Sequence, residues 1–158
     1  MSTIIRQATP EDSQAIYDMI YELAVYEKAP EEVITTADEI RDSLFGADSK
    51  TEALICEVAG KTVGYAVFFT SYSTWLGRNG IYMEDLYVSP DARGQGAGKA
   101  LLKTIAQYAV KRKCGRLEWS VLDWNQPAID FYLSIGAIEQ GEWVRYRLSG
   151  DALINFAK

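Results

Sequence analysis

Two acids stand side by side in an otherwise apolar run, Tyr82-Met83-Glu84-Asp85-Leu86-Tyr87-Val88. Neighbouring side chains of a strand point to opposite faces. One carboxylate is therefore placed to meet a ligand, directly or through water, and the other to make a structural contact. The alternative is that both are neutralised by nearby bases or solvent. The run stops at Pro90, and Arg93-Gly94-Gln95-Gly96-Ala97-Gly98-Lys99 follows, leading into a helical pattern. Glycines let a ligand approach the backbone and accept a positive φ. The helix start behind them offers unpaired N–H groups and a positive dipole end, which suit a phosphate. The strand, loop and helix together read as a site for a phosphorylated ligand, the alternative being a glycine-rich turn without one. A third stretch, Asn125-Gln126-Pro127-Ala128-Ile129-Asp130-Phe131-Tyr132, opens another helix. Asn125 is placed to cap it and Pro127 to pre-organise it. Spacing alone makes Tyr132 a core tyrosine with a hydrogen-bonded hydroxyl.

The glycine spacing excludes two well-known phosphate loops. A dinucleotide fingerprint beginning at Gly94 requires glycine where Lys99 stands. A P-loop ending at Gly98-Lys99 requires glycine at Arg93 and a hydroxyl residue at Ala100. What remains is Arg93-x-x-Gly96-x-Gly98. It resembles the acetyl-CoA pyrophosphate loop of GNAT-type N-acetyltransferases, in which successive backbone N–H groups cradle the pyrophosphate and the leading Arg or Gln orders the loop.

That resemblance extends along the chain from about Ile4 to Leu148. Asn-x-Pro-Ala-x-x-x-Phe-Tyr is a GNAT signature, and it implies that Asn125 and Ala128 belong to the cofactor site. It also implies that the Tyr132 hydroxyl lies by the thioester sulphur as general acid. The Tyr82–Val88 strand is similar to that of spermidine/spermine (diamine) acetyltransferases. There the acid matching Glu84 binds or deprotonates the amine, and backbone N–H groups around Leu86, Tyr87 and Val88 meet the acetyl carbonyl and pantetheine arm. Leu23-Ala24-Val25-Tyr26-Glu27 and Tyr72-Ser73-Thr74-Trp75-Leu76-Gly77-Arg78 resemble two further segments of that branch. They imply that Tyr26, Glu27 and Trp75 line the amine pocket with Glu84 and Asp85. Two departures weigh against a polyamine. Ala59-Gly60-Lys61 is a tight turn where those enzymes carry an insertion, and Lys28 puts a cation beside the pocket. An amino acid such as thialysine would give Lys28 a carboxylate to pair with. The resemblance implies acetyl-CoA as co-substrate, a small-molecule amine as acceptor and a homodimer. A silent acyl-CoA-binding regulatory module is the reading from another class, and Tyr132 and Glu84 argue against it.

Composition narrows the chemistry further. The 158 residues include no histidine and two cysteines, which excludes His-based triads and a Cys/His zinc site; no metal is expected. Proton transfer falls to carboxylates, tyrosines and water. Cys56 and Cys114 read as small hydrophobes in a reducing compartment. The net charge of −6 argues against non-specific nucleic-acid binding and is compatible with a cationic substrate. No run reaches transmembrane length and no leader is evident, so a cytoplasmic protein without a membrane partner is expected.

The elements that must position these residues follow from periodicity and punctuation. Strands are expected at Ile4–Ala8, Ala53–Val58, Val63–Phe69, Ile81–Val88, Leu117–Leu122 and Glu142–Leu148. Helices are expected after Thr9-Pro10, from Thr36 to Phe45, over Ala97–Lys113 and over Pro127–Ile135, with a terminal helical turn at Asp151–Phe156. The order β-α-α-β-β-β-α-β-α-β-β mixes hairpins with β-α-β units. It predicts one domain over residues 1–158, of mixed three-layer α+β class, with helices on both faces of a central mixed sheet. This is the order of the GNAT fold.

Overall fold

Apolar runs buried on both faces, Ala53–Cys56 and Val63–Phe68, form the middle of a five-stranded sheet in the computed structural model, which describes residues 2–158. The strands are β1 (Thr3–Gln7), β2 (Thr51–Val58), β3 (Lys61–Ser73), β4 (Arg78–Val88) and β5 (Leu117–Trp119), in that spatial order. The first four pair antiparallel. β5 joins β4 in parallel after a helical crossover, which makes the sheet mixed.

The helices form where capping and periodicity predict them. Helix α1 (Ser13–Tyr26) follows a 3-10 turn at Pro10–Asp12. Asp12 anchors this entry, accepting from the Thr9 N–H at 2.7 Å and from the Arg6 guanidinium at 2.8 and 2.9 Å. Helix α2 (Ala37–Phe45) is capped by Thr36, which accepts from the Glu39 N–H at 3.1 Å. Both pack on one face, where Ile16, Met19 and Ile40 meet Ala53, Ile55, Tyr65, Val67 and Tyr87. Helix α3 (Ala97–Lys111) covers the other face with Leu101, Leu102, Ile105 and Ala109 buried. Its Tyr108 ring lies 5.9 Å from that of Phe68. The expected three layers are formed.

The turn between β2 and β3 has positive φ at both Ala59 and Gly60, the requirement of a two-residue hairpin whose twist matches its strands. The β3–β4 hairpin is longer than periodicity suggested, with Ser73 paired to Arg78. At the other end of that hairpin the strands approach closely. A Cβ on Gly64 would lie 2.6 Å from the Tyr87 carbonyl oxygen and 3.3 Å from Val88 Cγ2. Gly64→Ala is expected to push β4 away just ahead of the glycine loop and to cost about 1–3 kcal/mol. Thermal unfolding checks it, with an expected drop of roughly 2–4 °C per kcal/mol.

The β3–β4 ladder carries one irregularity. Val67 pairs with Asp85 and Phe68 with Met83, so Glu84 is a bulged residue with no partner position on β3. The parallel ladder to β5 ends at the same place, on Met83↔Trp119. A bulge breaks the register that a neighbouring strand must follow. β5 therefore stops at Trp119 instead of running to the expected Leu122.

The chain divides into two compact units, one from the N-terminus to Ser120 and one from Val121 to Lys158. The second holds α4 (Gln126–Ser134) and α5 (Gly150–Phe156). The expected strand Glu142–Leu148 is not formed, and the second unit holds no strand among the described residues. Alternation gives a segment strand character, but a strand exists only when a neighbouring backbone completes its hydrogen bonds.

Candidate active site

The glycine loop leaves β4 at Val88, turns through 3-10 residues Pro90–Ala92 and enters α3 at Ala97. Gly94 and Gly96 have φ of 80° and 81°, and a Cβ on either would meet nothing within 4 Å. The strand, the stop at Pro90 and the helix start stand as expected. The open space over two left-handed glycines is a cradle of the kind a phosphate fills, with the N-terminus of a 15-residue helix behind it. Arg93, Gly94, Gln95, Gly96 and Lys99 are exposed around it, Ala97 is buried beneath, and Gly98 lies 3.7 Å by its ideal Cβ from Val88. These residues fit a pyrophosphate.

Arg93 folds back from the loop. Its Nε donates to the Val88 carbonyl at 2.9 Å. Its guanidinium lies over the Tyr26 ring at 5.4 Å and the Tyr87 ring at 5.6 Å. This is an ordering role, and it ties the loop to the end of α1 through Tyr26 and to β4 through Tyr87. Sequence reasoning gave Arg93 the loop but not these partners, which no spacing reveals.

Helix α1 ends at Tyr26, and Lys28 takes the left-handed conformation at φ 65°, a position where glycine is usual. The closing turn brings Glu27 toward β4. Burial raises the Glu27 pKa, and the charge of Asp85 raises it further. Asp85 is half-buried and accepts a hydrogen bond from the Tyr65 hydroxyl at 2.8 Å. Burial raises the Asp85 pKa and nearby Glu84 adds to the rise, while the Tyr65 bond opposes it. Glu84 itself is exposed at the bulge.

The strict alternation that put Glu84 and Asp85 on opposite faces needs an unbroken ladder, and the bulge interrupts it. Phe68 packs on α3, and Met83 is its cross-strand partner. Val67 and Tyr87 belong to the α1 face, and Asp85 pairs with Val67 and bonds Tyr65 there. The acids are thus distinguished by a fold device, with Asp85 fixed among the α1-face residues and Glu84 at the kink. Beyond Met83 the edge of β4 carrying Leu86, Tyr87 and Val88 runs past the end of β5 and into the loop.

The structure therefore brings together Tyr26, Glu27, Asp85, Tyr87 and Arg93, and it adds Tyr65, which the sequence did not single out. Trp75 sits elsewhere. It is at the tip of the β3–β4 hairpin, beyond the Ser73↔Arg78 pair. Arg78 and Asp85 are seven positions apart on β4, about 23 Å at strand rise. Within one chain Trp75 does not join the acids.

Asn125 and Tyr132 lie in the second unit. Asn125 stands at the N-cap position of α4 and its carbonyl accepts the Ile129 N–H at 3.0 Å. Its side chain does not cap the helix, a correction to the expectation. The ψ of 72° at Asn125 departs from the extended geometry that aims a cap side chain back at the first turn. Tyr132 stands in the last turns of α4, its ring 5.5 Å from that of Phe131. Ala128 is in the first turn.

Cys56 is buried, with burial pushing its thiol pKa up, and neither cysteine is in a disulfide. Among the described residues, no helix is long and apolar enough to cross a membrane.

Comparison with known proteins gives this geometry its context. The chain is 37% identical over 167 residues to a thialysine N-epsilon-acetyltransferase of Sus scrofa, covering 99% of this chain and 98% of the relative. It is 35% identical over 165 residues to the spermidine/spermine N(1)-acetyltransferase-like protein 1 of Homo sapiens, covering 97% of this chain but 23% of that protein. Among solved structures, an integron cassette protein from the mobile metagenome of V. cholerae superposes with a TM-score of 0.83 at 28% identity. That match covers 100% of this chain and 99% of the other. Residues 14–137, from the start of α1 through α4, match the Acetyltransferase (GNAT) family. The glycine cradle, the mixed sheet and these matches agree: the chain is an acetyl-CoA-dependent N-acetyltransferase and belongs to the GNAT family.

Proposed function

We propose that the acceptor is a small cationic primary amine, a polyamine or diamine, acetylated by direct attack in a ternary complex. The observation that carries the reading is the pairing of Glu27 with Asp85 at the end of α1. Two partly buried carboxylates, Glu27 raised by burial and by Asp85 and Asp85 raised by burial and by Glu84, are relieved by an incoming ammonium. Acetyl-CoA supplies the activated thioester, held by Arg93–Lys99 with Leu86, Tyr87, Val88, Asn125 and Ala128. Glu84 takes a proton from the amine, directly or through water, because only the neutral amine is a nucleophile. Tyr132 gives a proton to the departing thiolate. A covalent acetyl-cysteine has no support, since neither Cys56 nor Cys114 falls in a matching motif and the Cys56 thiol is buried with a raised pKa, which makes it a poor nucleophile. Trp75 stacks on a substrate ammonium only if another chain presents it, which accords with a homodimer. The free cysteines accord with the cytoplasm.

A second reading, an amino acid with a side-chain amine such as thialysine, is favoured by Lys28. Its left-handed backbone is uncommon for a side-chain-bearing residue, and its cation stands next to Glu27.

Glu84→Gln tests the proton step. Turnover at neutral pH is expected to fall by about 10²–10⁴-fold. The rate should then climb toward high pH, where the amine loses its proton unaided. A panel of neutral, monocationic, dicationic and amino-acid acceptors tests the pocket. Equal activity on neutral and dicationic amines would remove the electrostatic basis of the reading. A preference for the amino acid that is lost in Lys28→Ala would select the second.

A further inference from the structure

Tyr65 is fully buried at the centre of β3, in the cluster with Ile16, Met19, Ile55 and Tyr87. A phenol so placed cannot touch substrate, yet its hydroxyl ends on Asp85 Oδ2 at 2.8 Å. A buried tyrosine hydroxyl needs a partner. Here the partner is a carboxylate on the neighbouring strand, one residue past the bulge. We propose that Tyr65 is a positioning residue for the acceptor amine, holding one oxygen of Asp85 so that the other faces the incoming ammonium. This rests on the reading of Asp85 as an amine-binding acid.

The chemistry is specific. A carboxylate free to rotate beside Glu27 and Glu84 would turn away from them or take up a proton. A single fixed donor on one oxygen prevents both, because it favours the ionised form and sets the plane of the group. The titratable groups that face Asp85 are Tyr65 from β3, Glu84 from β4 and Glu27 from the end of α1. Tyr87, beside them on β4, is engaged by Arg93 and feels Glu22. Among the groups that act on Asp85, burial and Glu84 push its protonation upward and the Tyr65 bond alone pulls it down.

The test uses the full-length enzyme with acetyl-CoA and a diamine. Tyr65→Phe keeps the ring and removes the donor. KM for the diamine is expected to rise by about tenfold or more, with kcat within a few-fold. The acid limb of kcat/KM should move to higher pH, because Asp85 without its donor stays protonated further up the scale. A purely structural tyrosine would lower the melting temperature and leave that limb in place. Asp85→Asn separates the two levels of the argument. If Asp85→Asn raises KM and Tyr65→Phe changes neither KM nor the limb, the positioning role is overturned and the amine site stands. If Asp85→Asn leaves KM unchanged, the amine site is misplaced and the positioning role goes with it. Should Tyr65→Phe fold poorly, site-specific 3-fluorotyrosine at position 65 keeps the shape and strengthens the donor. It is expected to move the acid limb to lower pH, and an unmoved limb overturns the proposal.

Discussion

Gly96→Asp is expected to eliminate measurable acetyl-CoA binding in a chain that still folds. Gly96 is the N-cap of α3 at φ 81°, with open space where a side chain would stand. Aspartate tolerates the left-handed region better than most residues and suits an N-cap, so the fold survives. What changes is the cradle. A carboxylate fills it and repels phosphate, and at about 4 Å two unit charges near a surface interact by roughly 4 kcal/mol. That corresponds to a loss of about 10³-fold in affinity. Calorimetric titration with CoA measures the effect, and the melting temperature confirms folding. Gly96→Ala separates strain from charge, since it introduces a Cβ without a negative group and should weaken binding far less. Unchanged affinity in folded Gly96→Asp would remove the phosphate site from this loop.

Tyr132→Phe is expected to lower kcat by roughly 10²–10⁴-fold with CoA affinity unchanged. The change keeps the ring against Phe131 and deletes the hydroxyl. If the hydroxyl has only a structural partner, the cost is about 1 kcal/mol of stability and no change in rate. Chemistry and structure therefore predict opposite patterns in kcat and melting temperature. The chain has no histidine to take over the proton. Activity within a few-fold of the parent returns Tyr132 to the structural role.

How much of this was legible in the sequence depends on how local each feature is. The glycine loop, the Thr36 cap and the hairpin at Ala59-Gly60 are set by a few consecutive residues, and they stand as read. The order β1 to β5 and the helices on both faces also stand, because periodicity reports which face is buried. The bulge at Glu84 was not legible, since it is a mismatch of length between two strands and appears only when they pair. The same cause shortened β5. Glu142–Leu148 alternates like a strand but is not one among the described residues, because strand pairing depends on a neighbour that no internal pattern encodes. At the site, the resemblance marks Glu27 and Asp85 as pocket acids, and the fold brings them near one another. Tyr65 is not legible, because a tyrosine within a long apolar strand carries the same signal whether its hydroxyl meets water, backbone or a carboxylate. Segment likeness groups Trp75 with the acids, and the length of the hairpin places it at the tip, beyond the Ser73↔Arg78 pair.

Glu84 is the surplus residue of its strand. Met83 and Asp85 already sit opposite Phe68 and Val67, which are themselves consecutive, so the ladder closes without it. If position 84 were excised, every neighbour would keep its face and β4 would become a regular strand. The sheet thus carries this acid as an appendix, and its architecture makes no demand on the side chain there. Position 84 is accordingly where chemistry can be altered with the least disturbance to the scaffold, and where a more regular sheet would be gained only by giving up the acid.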